Sequence, residues 1–149
     1  MPEPKNALAP EIRQSLVDAA RSSQHNAYAP YSRYRVGAAL LTASGEIFTG
    51  CNVENAATPA GICAERTAVA KAVSEGHRQF VAIAVITDDG GSPCGTCRQV
   101  LNEFSPQLVG IVATSDGEAV YEAPLTELLP RSFGPANLRR ADSSPYGHE

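Results

Sequence analysis

No stretch of this chain approaches the roughly 18 consecutive apolar residues needed to cross a bilayer. The opening residues Met1 to Lys5 also lack the apolar core of a secretory leader. A membrane role is therefore not expected, and the four cysteines are expected to be thiols in a reducing cytoplasm, where metal binding outranks disulfide formation. Basic residues are scattered, with Arg139-Arg140 the only adjacent pair, and the net charge is -4 with a pI near 5.4. Such a surface offers no patch for neutralising a run of phosphates, which weighs against a polynucleotide partner and favours a small, weakly charged one. Repeats and low-complexity segments are missing as well. The three histidines, His25, His77 and His148, stand in polar surroundings without metal-ligand spacing and read as ordinary polar residues.

What is present is a globular composition, 43% apolar and 19% charged over 149 residues, enough for one domain with a real core. That domain is expected over residues 1–138, with 139–149 a flexible tail and residues 1 to 8 offering little to pack. Apolar residues recurring at helical spacing predict a helix from Pro10 to Gln24. A turn around Ala29-Pro30-Tyr31 leads into a strand, Val36 to Leu41, and Ser44-Gly45 closes a hairpin with Ile47 to Val53. A loop from Glu54 to Gly61 precedes a helix that starts near Ile62 and ends before Gly76. Phe80 to Thr87 is apolar and β-branched, as in a strand buried on both faces. After the turn Asp88-Asp89-Gly90-Gly91, Pro93 suits the start of another helix. Strands Leu108 to Thr114 and Ala119 to Glu122 flank the hairpin signal Asp116-Gly117, and Leu125 to Leu129 is a short helix. The order αββαβαββα implies an α/β fold, a mixed sheet with helices on both faces.

Chemistry concentrates in two places, Cys63-Ala64-Glu65-Arg66 and Pro93-Cys94-Gly95-Thr96-Cys97-Arg98-Gln99. Four thiolates would close a zinc site, whereas three leave one position for water that the metal makes acidic near neutral pH. Cys63, Cys94 and Cys97 are the three, and Glu65 is the group free to shuttle protons beside them. Both pairs fall at helix starts, where amide groups and the helix dipole favour thiolates. A zinc ion with three thiolates carries about one net negative charge, so a nearby cation is wanted, Arg66 in preference to Arg98. Alone, the C-x-x-C pair is equally a redox dithiol or a structural metal clip; Cys63 and Glu65 tip the balance. Cys51 reads as a small core residue. Asn52 and Glu54, near a strand end and two apart, point to one side and either grip adjacent hydroxyls or hydrogen-bond the following loop.

The segments Ala29-Pro30-Tyr31-Ser32, Val36 to Thr42, Gly50-Cys51-Asn52-Val53-Glu54-Asn55-Ala56, Gly61 to Ala68, Pro93 to Leu101 and Leu128 to Pro135 together resemble the small homotetrameric zinc-dependent cytidine deaminases. The resemblance implies a three-layer fold with a mixed five-stranded sheet. It also implies one Zn2+ per subunit on Cys63, Cys94 and Cys97, with Glu65 moving protons between water, ring N3 and the departing amine. By the same resemblance Asn52 and Glu54 hold ribose hydroxyls, the Ala64 backbone contacts the base, Tyr34 packs on the sugar, and Arg66 tempers the thiolates. Phe133 would close the pocket of a neighbouring subunit in a homotetramer. The implied substrates are free cytidine and 2'-deoxycytidine, in pyrimidine salvage in the cytoplasm. Tyr34-Arg35 stands where the family usually has Phe-Pro, and Thr58 where an aromatic is common. These departures raise a second candidate, a modified cytosine nucleoside such as a nucleoside antibiotic. The Asn-x-Glu pair argues for an ordinary ribose. A zinc-stabilised binding module is a third reading, which Glu65 opposes because a closed structural site has no use for an acid.

Overall fold

The computed structural model describes residues 8–138. The expected tail from 139 onward and His148 lie outside them. Five strands form one sheet: β1 (Gly37–Thr42), β2 (Ile47–Cys51), β3 (Phe80–Thr87), β4 (Val109–Thr114) and β5 (Ala119–Pro124), in the order β2-β1-β3-β4-β5. β1 is antiparallel to both neighbours, β3 and β4 are parallel, and β5 returns antiparallel.

Helix α1 (Pro10–Gln24) covers one face of this sheet, and α2 (Ala64–Ser74) with α3 (Gly95–Phe104) covers the other. Strand alternation sorts the residues between the two layers. Ala39 and Leu41 of β1 and Ala82, Ala84 and Ile86 of β3 meet Leu16, Val17 and Ala20 of α1. Ala38, Leu40, Ile83 and Val85 meet Ala64, Ala68, Val69 and Leu101 instead. β3 is buried almost throughout, as its apolar run predicts. The three-layer α/β arrangement is the one expected.

The strand directions decide where the helices begin. Because β1 opposes both of its neighbours, β2 and β3 run the same way, and Gly37 pairs with Cys51 on one side and Ile86 on the other. Their carboxyl ends therefore share one edge of the sheet, and the chain leaves that edge twice, once into α2 and once into α3. Crevices at the carboxyl ends of strands are where open α/β sheets place their ligands.

Several boundaries differ from expectation. Leu8 packs in the core beside Leu16, so the chain is anchored earlier than its polar start suggests. β2 ends at Cys51, because Val53 leaves the ladder to bridge Tyr28 and Ile62. Cys51 itself is only half-buried at that strand end. A 3-10 turn, Thr58–Ala60, sits in the loop expected to be irregular. Short helices α4 (Leu125–Leu128) and α5 (Pro135–Leu138) close the described chain, the second of them unforeseen. His77 pairs with Glu46 at 2.9 Å and tilts against the Phe48 ring, a structural role consistent with its ordinary reading.

Candidate metal centre

Cys63 and Cys94 are the N-cap residues of α2 and α3, where the sequence suggested helix starts near Ile62 and Pro93. Their backbones are extended, with φ -77° and ψ 155° for Cys63 and φ -69° and ψ 167° for Cys94, as N-cap positions require. Cys97 lies in the first turn of α3 and is buried. Thr67 fastens the start of α2 to the end of β2, its hydroxyl donating at 3.1 Å to the carbonyls of both Cys63 and Cys51.

The three Sγ atoms lie within 4.8 Å of one another, among the described residues the one such group of cysteine, histidine and carboxylate ligands. A tetrahedral zinc with bonds of about 2.3 Å sets sulfurs roughly 3.8 Å apart, so a slight contraction onto an ion fits this donor set. The thiols already behave as parts of one unit. Cys63 is pulled down to about 5, first by a hydrogen bond from the Cys97 thiol and then by the Arg66 guanidinium. Cys97 is pushed up by that same shared proton, by burial and by the charge of Glu65. Without a cation one thiol must keep its proton so that its neighbour can ionise; a divalent ion removes the conflict.

Arg66 places Nη2 3.7 Å from the Cys63 sulfur. Its Nε is buried without a hydrogen-bond partner among the described residues. Arg98, the other candidate cation, turns away and clamps backbone instead, donating to the Pro93 carbonyl at 2.7 Å and to the Leu128 carbonyl. Glu65, the second residue of α2, is 4% exposed. Burial raises its proton affinity most, and the neighbouring Cys63 charge adds to this.

Beyond the sulfurs, Asn52 and Glu54 face the segment that precedes β1 and hold it, rather than the loop that follows them. Asn52 Oδ1 accepts from the Val36 amide at 2.9 Å and its Nδ2 donates to the Tyr34 carbonyl at 2.7 Å. Glu54 accepts from the Tyr31 and Ser32 amides at 2.9 and 3.1 Å and from the Ser32 hydroxyl, and these bonds hold it below the usual carboxylate range. Tyr34 directs its hydroxyl to Asp89 at 2.7 Å. Ala64 is fully buried at the first position of α2. Thr58 lies exposed in the 3-10 turn.

Phe133 is 59% exposed, yet its backbone is fixed: Gln99 and Asn102 of α3 both donate to its carbonyl, at 2.6 and 3.3 Å. Neither residue was singled out from the sequence, and neither was Ser32 or Asp89. For the α3 pair the available signal was their i, i+3 spacing on a helix that also carries Cys94 and Cys97.

The family model for the cytidine and deoxycytidylate deaminase zinc-binding region matches residues 10–113. A cytidine deaminase of Sporosarcina psychrophila is 43% identical over 130 residues, covering 86% of this chain and 96% of that protein. One from Halalkalibacterium halodurans is 45% identical over 123 residues, covering 81% and 93%. Among solved structures, the cytidine deaminase of Burkholderia pseudomallei superposes with a TM-score of 0.76 at 43% identity, over 80% of this chain and 98% of that one. The Mycobacterium tuberculosis enzyme gives 0.72 at 38%, over 82% and 97%.

Proposed function

Because the chain belongs to the cytidine and deoxycytidylate deaminase family, we propose that it hydrolyses free cytidine and 2'-deoxycytidine to uridine and 2'-deoxyuridine, releasing ammonia. The observation that carries this reading is the convergence of three sulfurs within 4.8 Å beside a carboxylate that is 4% exposed.

Cys63, Cys94 and Cys97 hold the zinc, which supplies an electrophilic centre that makes water acidic near neutral pH. Glu65 does the proton work. Its carboxylate takes a proton from the attacking water and delivers it to ring N3 as the water oxygen bonds to C4. It then carries the second proton to the exocyclic amine, the C4–N bond breaks, and ammonia leaves as the C4 carbonyl forms. Burial favours this exchange, since a carboxyl shielded from bulk water trades protons with the substrate rather than with solvent.

Arg66 brings the formal charge of the metal with its three thiolates from about -1 back to zero, which preserves the acidity the reaction needs. Asn52 and Glu54 receive the ribose hydroxyls. Glu54 keeps lone pairs beyond those its loop bonds use, and Asn52 keeps a second amide hydrogen. The Ala64 backbone meets the base, and the Tyr34 ring packs on the sugar. Phe133, presented outward, completes the pocket of a neighbouring copy in a homotetramer, and the enzyme works in the cytoplasm.

The test is direct. Purified protein incubated with cytidine should lose the ultraviolet absorbance of the cytosine chromophore as uridine appears, and metal analysis should find one zinc per chain. Glu65→Gln should keep the zinc and lose about 10²–10⁴-fold in turnover. Uridine formation at the wild-type rate by that variant, or none by the wild type, overturns the reading.

A further inference from the structure

The turn after β3 does more than reverse the chain. One oxygen of Asp89, Oδ1, accepts from the Tyr34 hydroxyl at 2.7 Å, the Gly91 amide at 3.0 Å and the Thr87 hydroxyl at 3.3 Å. The Gly91 amide also reaches the Thr87 hydroxyl at 2.8 Å. A Cβ at residue 91 would stand 2.4 Å from the Tyr34 oxygen, so the phenol can dock here only because that residue is glycine. The tyrosine oxygen, the aspartate acceptor and the bare glycine thus fit as one device, assembled from segments 55 residues apart.

Both ends of Tyr34 are fixed. Its carbonyl accepts from Asn52 and its amide donates to the Ser32 hydroxyl at 3.0 Å, so its backbone, in the segment before β1, is tied to the arm that leaves β2. Its tip belongs to the loop that runs on to Cys94. We propose that Asp89 is a positioning residue for the nucleoside: through Tyr34 it locks the sugar-facing wall of the pocket to the metal-bearing loop, so binding depends on a side chain that does not touch the ligand. This rests on the nucleoside reading given above. The Tyr34 hydroxyl is also the largest influence holding the Asp89 carboxyl below its ordinary range, as a donor aimed at a carboxylate does.

An aspartate that serves only its own turn would need the Gly91 amide and nothing more. Asp89→Ala, Asp89→Asn, Tyr34→Phe and the double variant Tyr34→Phe/Asp89→Ala separate the two cases when zinc content, thermal midpoint, uridine affinity by calorimetry and cytidine kinetics are measured on each. Of the three hydrogen bonds that Asp89→Ala removes, loss of the one to Tyr34 predicts a 3- to 10-fold rise, about that of a typical net contribution, in both KM and the uridine dissociation constant. Its kcat should stay within about twofold and its zinc remain complete. Asp89→Asn keeps an acceptor at Oδ1 and should restore affinity, and Asp89→Ala should add nothing once Tyr34 lacks its hydroxyl. A lower thermal midpoint with unchanged affinity, or additive effects in the double variant, overturns the inference. Should Asp89→Ala fail to fold, Tyr34→Phe carries the test, with the same rise expected and unchanged affinity overturning it. Wild-type protein that neither converts cytidine nor binds uridine overturns the functional reading and this inference with it; wild-type turnover with unaltered affinity in Asp89→Ala overturns the inference alone.

Discussion

Adding a single methyl at Gly50 should dismantle the metal centre without touching it. Gly50 lies in β2 beneath α2, and a Cβ there would sit 2.4 Å from the Ala64 carbonyl oxygen, 2.6 Å from the Ala68 nitrogen and 2.9 Å from the Thr67 Cβ. Two of these are helix backbone, so no rotamer relieves the clash. Reaching an ordinary 3.4 Å contact requires α2 to lift by about 1 Å. Zinc ligands hold their distances to about 0.2 Å, so a lift of that size, added to the contraction the sulfurs already make onto an ion, strains the place of Cys63 beside Cys94 and Cys97. Overpacking of this kind costs about 1–3 kcal/mol, which a domain of this size survives as a fall of several degrees in thermal midpoint. Gly50→Ala is therefore expected to fold, to bind zinc at least tenfold more weakly in a competition assay with a colorimetric chelator, and to lose on the order of 100-fold in turnover. Gly45→Ala is the control. That glycine has φ +92° and nothing within 4 Å, so its variant bears about 1 kcal/mol of backbone strain and should leave the metal untouched. Full zinc occupancy and wild-type turnover in Gly50→Ala would refute the claim that direct helix-on-strand contact sets the position of Cys63.

In metal-free protein, Arg66→Gln should raise the pH at which Cys63 is alkylated by iodoacetamide. The midpoint should move up from about 5, yet stay below the ordinary thiol value of about 8.5 because Cys97 still donates to it; an unmoved midpoint would deny the guanidinium its part. Gln99→Ala removes the shorter of the two bonds to the Phe133 carbonyl, and a rise in KM of about fivefold with unchanged zinc content is the expected result of a loosened ring. Glu65→Gln should stabilise the metal-free fold in a pH-dependent way, since burial raises the proton affinity of that carboxyl in the folded chain. Below about pH 4 the unfolded carboxyl is protonated as well and the two proteins should melt alike. As the pH climbs towards 7 only the wild type loses stability through this group, so the melting gap should open with pH, and a constant gap would contradict it.

Local signals carried much of the architecture. α1 and β3 coincide with their sequence expectations, the first because its apolar residues keep helical spacing and the second because an apolar run rich in β-branched residues ends at the turn Asp88-Asp89-Gly90-Gly91. The metal ligands were legible too, since their meaning lies in residue type and spacing. What escaped was of two kinds. Cys63 and Cys94 were expected within helices and instead cap them, because a cap is defined by backbone angles that composition does not report. The other misses are long-range. Nothing local marks Asp89 as the partner of Tyr34, or Gln99 and Asn102 as the grips on Phe133, because those pairs exist only once the sheet has formed. For Asn52 and Glu54 the spacing rightly indicated a shared direction but not its first use, which is holding the strand-entry segment in place.

The strand between β2 and β3 sets the gauge of the active centre. Two ladder spacings of about 4.8 Å separate its flanking strands by roughly 9.6 Å, which falls within the 8–10 Å at which packed helices lie side by side. A ladder of that width leaves room for α2 and α3 to start side by side, and the sulfurs at those starts lie within 4.8 Å of one another. A trimmed or enlarged core side chain leaves that width alone, because backbone pairing fixes it. An extra ribbon inserted between the same two strands would part the cysteines by about another 4.8 Å. Lineages descended from such a chain can thus exchange oil of like volume, provided β2 stays bare under α2, but not the count of ribbons between its two metal-bearing arms.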